Sequence, residues 1–370
     1  METDAQVVYR AQTIGSMLRP QHLKQAREDA AAGRLSPAEL KRVEDEAVDD
    51  AIAVQEQAGL DVVTDGEMRR GHFTGSLSEA VTGLEDVPAA PHSWHGANEL
   101  RYSHQKAVTG KLRRRRSLAQ EEFVYARARA DRPVKQTLPS PLMMQTFWSN
   151  EHSPAAYADP FEMFQDAADF LREEINGLVQ LGCEYVQIDA PEVAILVDAS
   201  VRQAFRDRGI APERVLGEGI EIINSVVDVP GPYYGLHLCR GNREGHWMAA
   251  GGYEAISKEV FRRATGFDAY LLEYDDARSG GFEPLGELPR DKAVVLGLIS
   301  TKRPRLESVV ELLARIEDAA RYHPRDRLAL SPQCGFASTL GGNPLTPGEQ
   351  ARKLELVSQV ARQAWPSRAS

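Results

Sequence analysis

The stretch YYGLHLC at residues 233–239 is a short apolar run that carries a histidine and a cysteine two positions apart. Such a run is typical of a buried β-strand, and side chains on a strand alternate between its two faces. We therefore expect His237 and Cys239 to point in the same direction. An imidazole and a thiol on one face suit a soft metal ion, but this pair alone favours a buried histidine beside a structural cysteine.

Similar short runs recur along the chain, and most of them are followed by a helical pattern. The predicted strands lie at residues 13–16, 61–65, 134–138, 185–189, 233–239, 269–274, 293–300 and 328–331. Alternating strands and helices predict a parallel sheet, and about eight strands predict a (β/α)₈ TIM barrel. A doubly wound open sheet is the alternative, although no Gly-x-Gly-x-x-Gly turn follows an early strand to support a dinucleotide site.

We expect one domain over residues 1–370 with a small-molecule partner, although length and composition alone fit two small domains equally well. The chain has 370 residues, and its net charge of −10 disfavours binding to nucleic acid or to an anionic membrane. It has no run of about eighteen apolar residues, and its first residues lack the pattern of a signal peptide. We expect a soluble, cytoplasmic protein without a disulfide framework, and the prediction admits a homo-oligomer.

One segment interrupts the alternation of strands and helices. Residues 88–116 are rich in proline, histidine and polar side chains, which predicts an inserted hairpin or long loop near the barrel mouth. The segment ends in KLRRRR at residues 111–116, a basic run in an acidic chain. Two interpretations stay open for this run: a solvated face, or recognition of an anionic substrate tail.

Further metal-ligating side chains stand at the ends of other predicted strands. Glu273 lies near the end of strand 269–274, and Cys334 follows strand 328–331. Together with His237 and Cys239 they would meet at one rim of a barrel and suit tetrahedral Zn²⁺. Two thiolates and a carboxylate would leave the site negatively charged, which favours a thiolate nucleophile and thus alkyl transfer to sulfur. Cys183 precedes its strand and is predicted to be structural.

These residues belong to a longer series of motifs that resembles a known family. The series consists of TIGS at residues 13–16, DGE at 65–67, VQID at 186–189, HLC at 237–239, Glu273 and SPQCG at 331–335. In this order they resemble the C-terminal catalytic domain of cobalamin-independent methionine synthase. The resemblance spans nearly the whole chain and is strongest to the short, single-barrel members.

The resemblance implies a role for each matching residue. The implied zinc ligands are His237, Cys239, Glu273 and Cys334. The implied cradle for the carboxylate of the amino acid consists of Ile14, Gly15 and Ser16. The implied catalytic carboxylates, which hold its ammonium group, are Glu67 and Asp189. Hydrogen-bond donors at one end of the site and anions at the other suit a zwitterionic thiol such as homocysteine. The structural alternative is that Glu67 and Asp189 each form a salt bridge to a neighbour such as Arg69.

The chain departs from the family where the alkyl donor would bind. The predicted seventh strand ends in LISTK at residues 298–302, without the histidine that protonates the departing folate nitrogen in the long enzymes. The tryptophan that stacks on the pterin falls near Phe147 or Trp148, and Arg116 is a further candidate for the donor site. The resemblance therefore leaves the identity of the donor open.

Three functions remain. The first is methyl transfer from a reduced folate, or another methyl carrier, to homocysteine. The second is alkylation of another thiol, as in the related epoxyalkane:coenzyme M transferases, with Arg19 and the Arg113–Arg116 run as cations for the sulfonate. Glu67 and Asp189 favour the amino-acid thiol, because two anions would repel a sulfonate that brings no ammonium group. The third, a zinc-binding or acid-binding sensor without catalysis, is the least favoured.

Overall fold

The computed structural model describes residues 7–71, 75–88 and 104–366, apart from the side chains of residues 104 and 105. Its strands are β1 (Val81–Pro88), β2 (His104–Arg114), β3 (Lys135–Pro139), β4 (Tyr185–Asp189), β5 (Tyr233–Leu238), β6 (Ala269–Glu273), β7 (Ala293–Ile299) and β8 (Leu328–Pro332). Its α-helices are α1 (Gln21–Ala31), α2 (Pro37–Gln57), α3 (Gly75–Ala80), α4 (Gln120–Arg127), α5 (Pro160–Gln180), α6 (Pro191–Ala194), α7 (Ala199–Asp207), α8 (Pro212–Arg214), α9 (Ile220–Val226), α10 (Ser257–Arg263), α11 (Val309–Ala319) and α12 (Pro347–Ala364).

Strands β3 to β8 form a parallel sheet in sequence order. Isolated parallel bridges join the two ends of this sheet, from Leu330 of β8 to Ala11, from Gln12 to Val62, and from Val63 to Val134 beside β3. The backbone pairing therefore runs around a complete circle, with residues 11–12 and 62–63 in the first two barrel positions. The predicted (β/α)₈ barrel is confirmed, and the doubly wound alternative is wrong.

The first two barrel positions differ from the predicted strands. Pairing occurs at residues 11–12 instead of 13–16, and only residues 62 and 63 of the predicted strand 61–65 pair. Beyond these bridges the backbone makes hydrogen bonds outside the regular ladder. For example, the Met17 amide donates to the Gly66 carbonyl at 3.0 Å. The apolar pattern identified both segments, but contacts between loops decided where regular pairing stops.

The predicted insertion is an antiparallel hairpin of β1 and β2 that begins at Val81, earlier than the expected residue 88. Its connection at residues 89–103 lies outside the described residues. The base of the hairpin is tied to α5, where the buried Glu174 carboxylate accepts hydrogen bonds from Arg114, Ser117 and the Ala119 amide. Strand β2 also contacts the 3₁₀ helix Pro141–Phe147 that follows β3.

Apolar side chains fill both the barrel and the space between strands and helices. The interior layer consists of Ile14, Ala269, Leu271, Ala293, Val295 and Ala329. Outside the sheet, α5 begins with Asp159 as its N-cap, whose side chain accepts from the Phe161 amide. The apolar side chains of α5 form a stripe that is buried against the rest of the protein. None of the helices in the described ranges is long and apolar enough to traverse a lipid bilayer.

Candidate metal and thiol site

Three ligand atoms converge at the carboxyl-terminal rim of the barrel. His237 lies on β5, Cys239 directly follows that strand, and Cys334 follows β8. One side-chain donor atom from each lies within 4.8 Å of the others, and all three residues are buried. Because β5 places alternate side chains on one face, His237 and Cys239 reach the same side, as the sequence predicted. An imidazole and two thiols at this spacing can hold a soft metal ion.

Asp189 orients the histidine of this group. It ends β4, whose backbone pairs with β5 so that Asp189 and His237 stand side by side. The Asp189 Oδ1 atom lies 2.7 Å from His237 Nδ1. The buried Nε2 atom has no hydrogen-bond partner among the described residues. A metal-binding histidine usually has one ring nitrogen on a carboxylate and offers the other to the metal, and Nε2 of His237 is placed to do so once its proton is lost.

The pKa values of His237, Cys239 and Cys334 are shifted in different directions. Burial lowers the pKa of His237, but the hydrogen bond to Asp189 and the neighbouring Cys334 sulfur outweigh it and raise the pKa to about 10. Interaction with Cys239, helped by His237, lowers the pKa of Cys334 well below its ordinary value, against the effect of burial. Interaction with Cys334 and burial raise the pKa of Cys239. One thiolate therefore faces one thiol and one imidazolium.

Glu273 lies beside this group but outside the set of three. Its Oε1 accepts from Arg278 at 2.6 Å and from Lys302 at 3.1 Å, and its Oε2 accepts from the Arg240 amide at 2.8 Å. Burial alone would raise the pKa of Glu273, but Lys302, Arg278 and Arg240 lower it to about 2. The carboxylate is thus ionised and fully engaged by protein donors.

Glu67 occupies the loop that follows the second barrel position. Its Oε1 accepts a hydrogen bond from Thr137 at 3.0 Å, and Arg70 approaches to 3.8 Å. Arg69 instead forms its ion pair with Asp45, so the anticipated partner of Glu67 was the wrong arginine. Burial, with a smaller contribution from Asp189, raises the pKa of Glu67 to about 7 against the opposing effect of Arg70.

The segment at residues 14–16 lies against both Glu67 and the loop after Cys334. A side chain on Gly15 would place its Cβ 2.5 Å from Glu67 Oε1, so glycine makes room for the carboxylate. Ser16 Oγ accepts from the Ala337 amide at 3.3 Å, and the Ser16 carbonyl accepts from the Phe336 amide at 2.8 Å. Ile14 belongs to the apolar layer inside the barrel.

The predicted donor-site residues lie in different surroundings. Phe147 and Trp148 are buried at the end of the 3₁₀ helix after β3, and Trp148 Nε1 donates to Asn150 at 3.0 Å. Arg116 is exposed and forms an ion pair with Glu79 at 2.9 Å. The basic run therefore includes at least one side chain that a surface carboxylate already neutralises.

Sequence reasoning missed the cations around Glu273 and the hydroxyl at Glu67. Lys302 occurs in the stretch where a histidine was sought, and Arg278 follows Glu273 by five residues. Thr137 lies on β3 and faces the barrel mouth through its contact with Glu67. The Lys302 and Thr137 contacts are not local in sequence, because each joins the ends of different barrel positions, whereas Arg278 lies on the loop that follows the strand of Glu273.

Comparison with known proteins gives a consistent assignment. The sequence model described as "Cobalamin-independent synthase, Catalytic domain" matches residues 9–361. An uncharacterized protein of Bacillus subtilis, YxjH, is 36% identical over 98% of this chain and 97% of its own length. A methionine synthase of Pyrococcus abyssi is 25% identical over 87% of this chain and 85% of its own length. A crystal structure described as a putative vitamin-B12 independent methionine synthase of Listeria monocytogenes is 27% identical and covers 97% of this chain and 98% of its own, with a TM-score of 0.72.

Proposed function

This chain belongs to the family of cobalamin-independent synthase catalytic domains, and we propose that it is a zinc-dependent methyltransferase that converts homocysteine to methionine. The observation that carries the proposal is the convergence of His237, Cys239 and Cys334 within 4.8 Å, with the buried Asp189 on His237 and the buried Glu67 near enough to Asp189 to interact electrostatically. The first three side chains suit a metal that binds sulfur, and the last two suit an ammonium group. Thiols with an ammonium group combine both requirements.

The donor set fits zinc in particular. Zinc accepts imidazole nitrogen, thiolate sulfur and carboxylate oxygen in tetrahedral sites, and a catalytic zinc can expand to take a fifth ligand. The partnerless Nε2 of His237 is the atom that such a metal would take. When bound, zinc would lower the pKa of a substrate thiol so that its sulfur is a nucleophile at neutral pH. Glu273 is the proposed fourth protein ligand, which requires it to leave Arg278 and Lys302.

The protein side chains have separate tasks in this proposal. Asp189 holds the imidazole of His237 in place through Nδ1 and contributes negative charge near the substrate amine. Glu67 receives the ammonium group, for which it must be ionised. Residues 14–16 lie beside Glu67 and supply backbone and hydroxyl groups for the carboxylate of homocysteine. Binding at both ends fixes the direction in which the sulfur points.

Methyl transfer exchanges one bond for another. The homocysteine sulfur attacks the methyl carbon, the sulfur–carbon bond forms, and the bond from that carbon to its carrier breaks with its electron pair. The thiol proton is lost when the sulfur becomes a thiolate, and a reduced-folate carrier would take up one proton at the nitrogen that it frees. We propose a methylated folate or another methyl carrier as donor, with Phe147 and Trp148 as candidates for its binding site.

The alternative thiol, coenzyme M, receives less support. The guanidinium of Arg19, one candidate for binding the sulfonate, donates to four backbone carbonyls. Within the basic run, Arg114 pairs with Glu173 and Glu174, and Arg116 pairs with Glu79. These cations are already bound to other protein groups, so they are weaker candidates for binding a sulfonate. Glu67 and Asp189 are better candidates for binding an ammonium group.

Metal analysis tests the first half of the proposal. Protein purified without added zinc should contain about one zinc per chain, and Cys239→Ser or Cys334→Ser should reduce this sharply. Cys183→Ser is the matched control, because Cys183 is also buried but lies before β4, with its sulfur near the Tyr185 carbonyl. Unchanged zinc in both test variants would disprove the metal site.

Product analysis tests the second half. Zinc-loaded enzyme should form methionine when homocysteine is offered with a methylated folate or methylcobalamin. Coenzyme M offered with a small epoxide should give no thioether under the same conditions. Formation of the thioether alone would identify the alternative transferase, and tight zinc binding without any product would support the sensor.

A further inference from the structure

Arg19 is a buried cation at the rim of the barrel, and its donors all go to the backbone. Its Nη1 donates to the Met17 carbonyl at 3.0 Å and to the Ala337 carbonyl at 2.5 Å. Its Nη2 donates to the Glu67 carbonyl at 2.7 Å and to the Arg70 carbonyl at 3.2 Å. One guanidinium therefore joins the loops that follow the first barrel position, the second barrel position and β8.

No carboxylate in the described part of the chain lies within ion-pair distance of Arg19. Its Nε atom also lacks a hydrogen-bond partner among these residues. A buried charge that is held by carbonyl groups alone is costly, since carbonyl dipoles replace hydration less completely than a counter-ion does. This cost indicates that the planar, five-donor shape of arginine serves a purpose at this position.

The contact with Glu67 suggests what that purpose is. Glu67 has a φ of +54°, a left-handed conformation that is uncommon for residues other than glycine, and it follows Gly66 at +67°. Such a conformation persists where surrounding contacts hold it. Asp65 accepts from the Glu67 amide at 2.9 Å, and Arg19 donates to the Glu67 carbonyl. The two contacts fix the peptide groups on both sides of the carboxylate-bearing residue.

The other contacts of Arg19 reach the rest of the substrate site. Met17 directly follows Ser16, whose hydroxyl and carbonyl accept from the amides of residues 337 and 336. Ala337 lies three residues after Cys334 on the same loop. The guanidinium thus sets the distance between the proposed carboxylate cradle, the ammonium-binding Glu67 and the sulfur of Cys334.

We propose that Arg19 is a positioning residue that determines selectivity for a thiol with an amino-acid end. It touches neither the metal group nor the reacting sulfur, and it acts through the backbone of Glu67 and of residues 16–17. This inference rests on the proposed function, because it assigns Arg19 to the zwitterion half of that site. The metal half should be independent of it.

Substitution by lysine separates shape from charge. Arg19→Lys keeps the cation, but its three donors on a single nitrogen cannot span carbonyls on three loops. Calorimetry on zinc-loaded protein would compare homocysteine with 4-mercaptobutanoate, which is the same thiol without the ammonium group. Wild-type protein should prefer homocysteine by about tenfold or more, as expected for a charged hydrogen-bonded partner. Arg19→Lys should lose most of this preference while its zinc content stays at the wild-type value.

A matched control and a second variant complete the test. Arg10 also donates to backbone carbonyls, those of Leu328 and Asp326, but at the opposite end of the barrel. Arg10→Lys should keep the full preference. If Arg19→Lys does not fold, Arg19→Gln removes the buried charge, and its affinities for homocysteine and 4-mercaptobutanoate are compared in the same way.

The outcomes distinguish this inference from the function on which it rests. A preference for homocysteine that survives in both Arg19 variants would overturn the positioning role and leave the proposed function intact. Equal affinity of wild-type protein for the two thiols would overturn both. Loss of zinc from Arg19→Lys would show a general structural role and would also overturn the inference.

Discussion

The raised pKa of Glu67 predicts that recognition of the ammonium group depends on pH. The ordinary pKa of a glutamate is near 4.5, and burial raises that of Glu67 to about 7, opposed by Arg70. Only the ionised carboxylate attracts an ammonium group. Homocysteine should therefore gain affinity as the pH rises toward 8 and lose it as the pH falls below 7.

The size of the effect follows from the titration. With a pKa of about 7, roughly nine-tenths of the Glu67 carboxyl groups are ionised at pH 8 and roughly one-tenth at pH 6, so the contribution of Glu67 to affinity falls by about tenfold over these two units. The upper limit is the strength of a hydrogen bond to a charged group, about 1.5–3 kcal/mol. Between pH 8 and pH 6 we therefore expect the preference for homocysteine to decrease by roughly tenfold.

The assay uses the ratio of two dissociation constants, so that titration of the thiols and of the metal group cancels. Zinc-loaded protein is titrated with homocysteine and with 4-mercaptobutanoate at pH 6, 7 and 8. In wild-type protein the ratio should rise with pH, and in Glu67→Gln it should be small and constant. A wild-type ratio that is independent of pH, or a variant ratio that still rises, would refute the role given to Glu67.

Two further expectations concern the metal group. Addition of zinc to metal-free protein near pH 7.5 should release about two protons per chain, from His237 and Cys239, because the pKa values of both groups are raised. The absorbance of a pH indicator measures this release. Release of one proton or fewer would contradict a thiol at Cys239 and an imidazolium at His237. Lys302→Met should tighten zinc binding by about tenfold, because Glu273 loses a cation that holds it away from the metal. Competition with a chelator measures the affinity, and weaker binding would show that the lysine supports the site.

The sequence predicted those features of the site that depend on strand geometry. Alternation along β5 predicted that His237 and Cys239 share a face, and the order of strands predicted that Cys334 would lie at the same rim. The environment of Glu273 was not predictable, because its ion pair with Lys302 joins β6 to a residue after β7, and neither Lys302 nor Arg278 belongs to a sequence pattern. The same applies to Arg19, whose four partners come from three loops.

The first two barrel positions have a consequence for how such proteins diversify. Single bridges hold residues 11–12 and 62–63, whereas the metal group lies on or next to the continuous ladders of β5 and β8. A ladder fixes the path of a strand along its whole length, but a segment with a single bridge to each neighbour can change its path without disrupting the ladders of β3 to β8. If the proposed function is correct, changes in these two short segments would alter the part of the site that binds the amino-acid end and leave the metal group in place.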